Sequence, residues 1–288
     1  MCNKSKTKRI LILVAGVTMN FITAIILLFM IGLFYGSTEQ SSVIGSVQSG
    51  SPAENAGLKK NDIIIGCNGY KVNTWDKLTI VTNLKNKNDY YTYKIKHEDG
   101  SIDEYKIVPD TYAVFDDKTI KLDDSTTLES VLKEYNKKEK EVTITKLVGI
   151  SASSEIHKGF GYAIKYAFSK FGSIVSTMIL ILGSLFTGKL GLSALSGPVG
   201  MYSVVGTVAQ AGFANLIYLM AYLSINLGVL NILPFPAFDG GRVLFVLIEA
   251  ITRKKVDSKI EGYFHSIGFI LIMLLMLYIT FQDVLRLF

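Results

Sequence analysis

Residues 231–241, Asn-Ile-Leu-Pro-Phe-Pro-Ala-Phe-Asp-Gly-Gly, interrupt a stretch of chain that is otherwise almost wholly apolar, from 214 to 230 before them and from 243 to 251 after. An asparagine, two prolines, an aspartate and a glycine pair at membrane depth would strand backbone groups in hydrocarbon. Such a break is tolerated only where protein or a water-filled cavity satisfies those groups. A carboxylate at that depth marks a functional site by default. Two readings of Asp239 follow. In one it caps a helix starting at Gly240 while the prolines end the helix before it. In the other the break holds Asp239 at a fixed place facing a polar cavity.

The chain has 288 residues, 49% of them hydrophobic, and a mean hydropathy of +0.36, with a long polar middle. That pattern is membrane segments flanking a water-facing domain. The net charge of +6 does not point to nucleic acid, because the basic residues cluster beside apolar runs, at 4–9 and 253–255. Charge placed there reports membrane orientation and puts those flanks in the cytoplasm. Cys2 and Cys67 are too far apart in pattern to suggest a disulfide framework or a thiolate metal site.

Residues 10–35 are long and apolar enough for a retained span. Within it Gly16 and Asn20 lie one turn apart, where a neighbouring helix could approach closely and use the amide. From 43 to 108 the pattern changes to short strands with turn signals. Ser51-Pro52 opens a short helix that ends at Gly57; Asn68-Gly69 and Asp99-Gly100 are hairpin turns; 73–84 reads as a helix. Beyond 111 only one helix, at 128–135 and capped by Thr126 or Thr127, stands out. The apolar core at 174–186 is shorter than a bilayer. A crossing there would put Asp239 and Arg253 outside, so an interfacial or re-entrant helix is expected. Residues 213–233 then cross inward, 240–251 form a short helix, and 262–287 form the last span.

The break resembles the Asn-x-x-Pro-x-Pro-x-x-Asp-Gly-Gly signature of the site-2 protease family of intramembrane zinc metalloproteases, with Phe238 where leucine is usual. The resemblance implies that Asp239 is a zinc ligand. It implies that Asn231 contacts unwound substrate backbone, and that Pro234 and Pro236 make the helix break. Gly16 to Asn20 resembles a Gly-Pro-x-x-Asn element of the same family without its proline, placing Asn20 on the substrate side. Ser196-Gly197-Pro198-Val199-Gly200 resembles another element near the active site, so Gly197 and Pro198 join the expected substrate contacts. Ser51-Pro52-Ala53 through Leu58, followed by Asn61-Asp62-Ile63-Ile64, resembles the core of a bacterial protease PDZ domain. Such domains add an extended peptide end to a sheet edge, and the groove is expected at Val43, Ile44, Gly45 and Ser46. A domain that only spaces or occludes the active site is the other reading.

The expected architecture is a multi-pass α-helical membrane protein with an inserted α+β PDZ-like domain. Its parts are a span with a basic flank (1–36), the PDZ-like domain (42–110), an extension (111–158), an interfacial or re-entrant helix with the Gly-Pro-Val-Gly loop (159–200), and a C-terminal membrane domain (213–288). A catalytic zinc needs about three protein ligands and a general base. The family supplies two ligands and the base from a His-Glu-x-x-His helix. The three histidines here, His97, His157 and His265, lack that spacing and read as surface or interfacial residues. The expectation is an N-terminally truncated zinc endopeptidase, inactive alone, acting on membrane-spanning protein substrates in a bacterial-type plasma membrane with the PDZ-like domain outside. The rival is a non-catalytic PDZ-bearing adaptor. A transporter is disfavoured because the broken segment has no counterpart in an internal repeat.

Overall fold

The computed structural model describes all residues except 1–5, 39–40, 87, 116–117, 138–141, 154, 193–194, 254–256 and 288. Cys2, the lysines at 254 and 255, and parts of the basic flank at 4–9 and of the charged run at 137–141 lie outside the described residues. In chain order the elements are α1 (Lys6–Phe34), β1 (Ser37–Thr38), β2 (Ile44–Val47), α2 (Pro52–Asn55), β3 (Ile63–Cys67), β4 (Tyr70–Lys71), α3 (Trp75–Asn83), β5 (Tyr91–Lys96), β6 (Ile102–Ile107), β7 (Asp110–Phe115), β8 (Lys118–Leu122), α4 (Leu128–Glu134), β9 (Thr143–Leu147), β10 (Ile150–Ala152), β11 (Ile156–His157), α5 (Phe160–Phe186), α6 (Pro198–Gln210), α7 (Phe213–Ile232), α8 (Asp239–Thr252) and α9 (Ser258–Leu287). They fall into two compact units, Met1–Ser37 with Ile156–Phe288, and Thr38–Glu155.

In the helical unit, Ile10–Phe34, Phe160–Phe186, Phe213–Ile232 and Lys259–Leu285 are each long and apolar enough to cross a membrane. Even the shortest, at 20 residues, reaches about 30 Å, the thickness of a hydrocarbon core. Three of these helices share a core of Ala24, Leu28 and Ile31 from α1, Ala167 and Ile174 from α5, and Ile217, Ala221, Ile225 and Val229 from α7. Their outer faces keep large apolar side chains exposed, among them Leu11, Met19, Phe168, Ile179 and Met220. Apolar residues on both faces suit a lipid environment better than water.

Three contacts fix the direction of α5 against α1. Gly36 packs on Ile156 and Lys158, Gly32 meets the Ala163 backbone, and the rings of Phe21 and Phe171 stand edge to face at 5.2 Å. As the chain number falls along α1 it rises along α5, so the two are antiparallel. Helix α7 also runs back along α1. Ser224 donates to the Asn20 carbonyl at 2.9 Å, Gly228 lies under the Phe21 ring, and the shared core extends forward along α1 and backward along α7 from there. It follows that α5 and α7 are parallel to each other.

The segment expected to be interfacial or re-entrant is thus a helix packed along α1. Helix α5 is continuous over 27 residues and lies lengthwise on α1, inside the bundle. Gly16 is corrected as a point of close approach, because it is exposed and a Cβ added to it would meet nothing within 4 Å. The close approaches are at Gly32 and Gly228, where a Cβ would collide with Ala163 and Phe21.

The Thr38–Glu155 unit is built on a four-stranded sheet ordered β4-β3-β5-β6, a three-stranded sheet ordered β8-β7-β9, and the pair β10-β2. Local chemistry explains much of it. Asn68 and Gly69 both take positive φ (48° and 80°), as a two-residue hairpin turn requires. Ser51, Thr74 and Thr127 each accept a backbone N–H three residues on, capping α2, α3 and α4. Ile64, Cys67, Tyr93 and Ile95 of the first sheet and Leu78 and Val81 of α3 are all buried. Strands β7, β8 and β9 are additions to the sequence reading. They bury Ala113 and Phe115 against Val131 of α4.

Ser46, in the stretch Val43, Ile44, Gly45 and Ser46 where the peptide groove is expected, lines a cavity shared with α3, and strand β2 is already partnered over part of its length. On one side β10 pairs with it, Ile150 opposite Val47 and Ser151 opposite Ser46; a Cβ on Gly45 would strike the Ala152 carbonyl. On the other side the Ile44 N–H donates to the Asp62 carbonyl and the Asn61 N–H to the Ile44 carbonyl, both at 2.8 Å.

Candidate active site: the break between α7 and α8

Helix α7 ends because Pro234 has no N–H to continue the ladder and forces Leu233 into an extended conformation (φ −59°, ψ 136°). The Phe238 N–H then donates to the Phe235 carbonyl at 3.2 Å, closing a turn around Pro236 and Ala237. Ala237 takes a φ of 77°. That is the left-handed conformation that the third residue of a type II turn needs and that glycine usually supplies. Helix α8 follows at once. Its first turns lie so close to the end of α7 that a Cβ on Gly240 would come within 2.3 Å of the Ile232 and Leu233 carbonyl oxygens, and one on Gly241 within 2.5 Å of the Phe235 oxygen. The Gly-Gly pair is therefore a packing requirement of the break.

Asp239 is the first residue of α8. The capping position belongs to Phe238, and no side-chain hydrogen bond caps the helix, so the reading of Asp239 as a simple N-cap is corrected. Its carboxylate sits in the first turn, where the helix dipole favours negative charge. Asn231 occupies the last turn of α7 and is half-buried, as are Pro236 and Asp239, whereas Pro234 is exposed. Asn20 is half-buried and gives its carbonyl to Ser224, two turns before Asn231 on α7. Asn231, Pro234, Pro236 and Asp239 thus lie at the C-terminal end of α7 and the start of α8, with Asn20 of α1 beside Ser224, two turns back along α7.

Gly197 and Pro198 are elsewhere. The Gly197 and Gly200 N–H groups both donate to Oδ2 of Asp283 at 2.8 Å. Asp283 lies about five turns beyond His265 on α9, roughly 27 Å along the helix. Asp283 is buried, 4% exposed, and a Cβ on Gly200 would press against its Oδ2 at 3.0 Å.

His265 is half-buried, and its Nδ1 accepts the Ala237 N–H at 3.1 Å. One turn on, Gly268 faces Pro236 so closely that no Cβ fits. The spacing of His265 and Gly268, three residues apart on one helix face, was the sequence signal that could have found them. His97 is tied in the α+β unit, Nδ1 to Asp62 at 2.7 Å and Nε2 to the Tyr105 hydroxyl at 3.0 Å. His157 stacks on Tyr162. Among the described residues no group of three His, Cys, Asp or Glu side chains could hold a metal ion, so Asp239 offers a single donor. Cys67 is no substitute, because burial pushes its thiol up to about 12.

A model of peptidase family M50 matches residues 1–275. The chain belongs to peptidase family M50. It is 34% identical over 282 residues to a protein of Clostridium acetobutylicum, covering 98% of this chain and 74% of that one. It is 32% identical to the zinc metalloprotease RasP of Oceanobacillus iheyensis and 37% identical to the regulator of sigma-W protease RasP of Bacillus subtilis, in each case over 99% of this chain. Of those two proteins it spans 62% and 61% of the length. Among its described residues this M50 chain has four apolar helices of membrane-spanning length, and its family is that of the zinc-dependent site-2 proteases.

A second feature lies in the Thr38–Glu155 unit. A cavity of about 430 Å³ runs between α3 and the chain leading into β10, lined by Trp75, Leu78 and Thr82 on one wall and Lys146, Gly149 and Ile150 on the other. Strand β10 pairs only with β2 among the described strands, so its second edge faces this space.

Proposed function

We propose that this protein is an intramembrane zinc metalloendopeptidase of the site-2 protease type. It cleaves within or beside a membrane-spanning segment of its substrate, in regulated intramembrane proteolysis at a bacterial-type plasma membrane. The observation that carries this reading is Asp239. It opens a helix at a break inside an apolar bundle, and its own helix makes no capping use of its carboxylate. Asp239 is read as one zinc ligand. The other donors are not assembled among the described residues, so the part derived from this chain is substrate engagement. An intact substrate helix hides its carbonyls in hydrogen bonds, and an unwound stretch needs replacement partners. Asn231 and Asn20 are read as those partners, beside backbone left unpaired at Pro234 and Pro236.

For topology, the start of α1 and the turn at Arg253 face the cytoplasm and the Thr38–Glu155 unit faces out. The parallel run of α5 and α7 supports this, because the segment between them has to return before α7 starts. Both helices then head inward, and Asp239 arrives on the side where α1 began. The Thr38–Glu155 unit is read as PDZ-like, with an extended peptide C-terminus adding to the open edge of β10 and facing α3. Lys146, one of the residues lining that cavity, suits a terminal carboxylate.

The test joins this chain to a His-Glu-x-x-His helix from a family member and measures zinc content and cleavage of a membrane-segment substrate, with Asp239 and with Asp239→Asn. Zinc and cleavage that both depend on Asp239 are expected. A substrate that co-purifies uncut with either form assigns the protein to the adaptor class instead.

A further inference from the structure

The residues on α9 that face the break carry an assignment that goes beyond the zinc-ligand reading and rests on it only in naming Asp239 as the working residue. Between Pro234 and Asp239 the chain has few internal hydrogen bonds to fix its shape. The Phe235 N–H reaches the Leu233 carbonyl at 2.7 Å, and the Phe238 N–H reaches the Phe235 carbonyl at 3.2 Å. The Ala237 N–H is taken by His265 Nδ1 at 3.1 Å. One turn further along the same face, Gly268 leaves the hollow into which Pro236 fits. The ring lies against a pair of phenyl rings, Phe245 of α8 and the adjacent Phe264, at centroid distances of 6.3 and 6.0 Å, so packing helps to set its orientation.

We propose that His265 is a positioning residue, which locks the Pro236–Ala237 turn through the Ala237 N–H and so fixes where Asp239 sits. An acceptor is needed at Nδ1, which puts the ring proton on Nε2; that atom is buried without a partner among the described residues. A neutral imidazole offers an acceptor at this depth without a charge. Gly268 is the steric half of the same clamp. Together they let α9, which is covalently distant from the break, hold the start of α8.

The experiment uses the full chain in detergent micelles with Cys2→Ser, so that the buried Cys67 thiol is the only native one left, and with Asp239→Cys as reporter. The rate of reaction with a water-soluble maleimide is measured for three residues at 265. His265→Leu keeps bulk and removes the acceptor; labelling is expected to change about tenfold, the range set by one hydrogen bond. His265→Asn returns an oxygen close to the place of Nδ1, and labelling should return to near the parent rate. Equal labelling in all three overturns the proposal, as does an asparagine that behaves like leucine, since either result leaves the ring a packing role only. Should His265→Leu fail to fold, judged by gel filtration, Gly268→Ala attacks the same turn from Pro236 and must shift the same rate. Because labelling needs neither zinc nor cleavage, its outcome is independent of whether the peptidase reading stands.

Discussion

Helix α9 holds a proline-containing segment at each end, and it holds them by different means. Near its start a neutral ring takes one N–H from the Pro236–Ala237 turn. Near its end a buried carboxylate, Asp283, takes two N–H groups from the start of α6. The two aspartates of the comparison are opposites. Asp283 comes from another helix and satisfies the N-terminus of α6, whereas Asp239 stands at the N-terminus of α8 and caps nothing. A carboxylate with two charge-assisted bonds is a structural fastening. One that could cap its helix and does not is available for something else.

The largest expected effect breaks the comparison in function. In the form carrying a His-Glu-x-x-His helix, Asp239→Asn should abolish cleavage and leave unfolding within about 0.5 kcal/mol of the parent, measured by denaturant titration in micelles. A stability loss on the scale of a lost cap would mean that the carboxylate supports α8 after all. Asp283→Ala should do the reverse, lowering stability by roughly 3 kcal/mol, because two charge-assisted bonds are lost and two N–H groups are left buried. If the melting point hardly moves, the α6 anchor is not a fastening. Smaller still, Gly240→Ala and Gly200→Ala should each cost about 1–3 kcal/mol, the usual range for forcing a methyl into packed surroundings. Equal tolerance at both would show that one end of α9 relaxes more easily than its geometry suggests. Gly16→Ala sets the baseline, since the site is open; its effect should lie between zero and a gain of about 1 kcal/mol from helix propensity.

What the sequence disclosed is what short-range chemistry determines. Asn68-Gly69 specified its turn and Thr74 its cap because the partners lie within a few residues. The break declared itself because prolines and an aspartate are costly in an apolar run. What stayed hidden depends on partners far along the chain. The pairing of β10 with β2 joins residues about a hundred positions apart, and nothing in Val43 to Ser46 announces it. Gly32 and Gly16 look alike in sequence, yet Gly32 lies against Ala163 and Gly16 against nothing. His265 looked like an interfacial histidine because its partner is a backbone N–H, which leaves no trace in residue identity.

Ala237 has a consequence for how this site responds to selection and to engineering. A non-glycine residue at a φ of 77° costs on the order of 1 kcal/mol or more, so Ala237→Gly is a substitution that any stability screen would favour. Glycine, however, visits many conformations there, whereas alanine has one narrow well. The exchange would relieve strain and widen the range of positions open to the residue two places on. Stability and the fixed placement of Asp239 would then move in opposite directions at a single position.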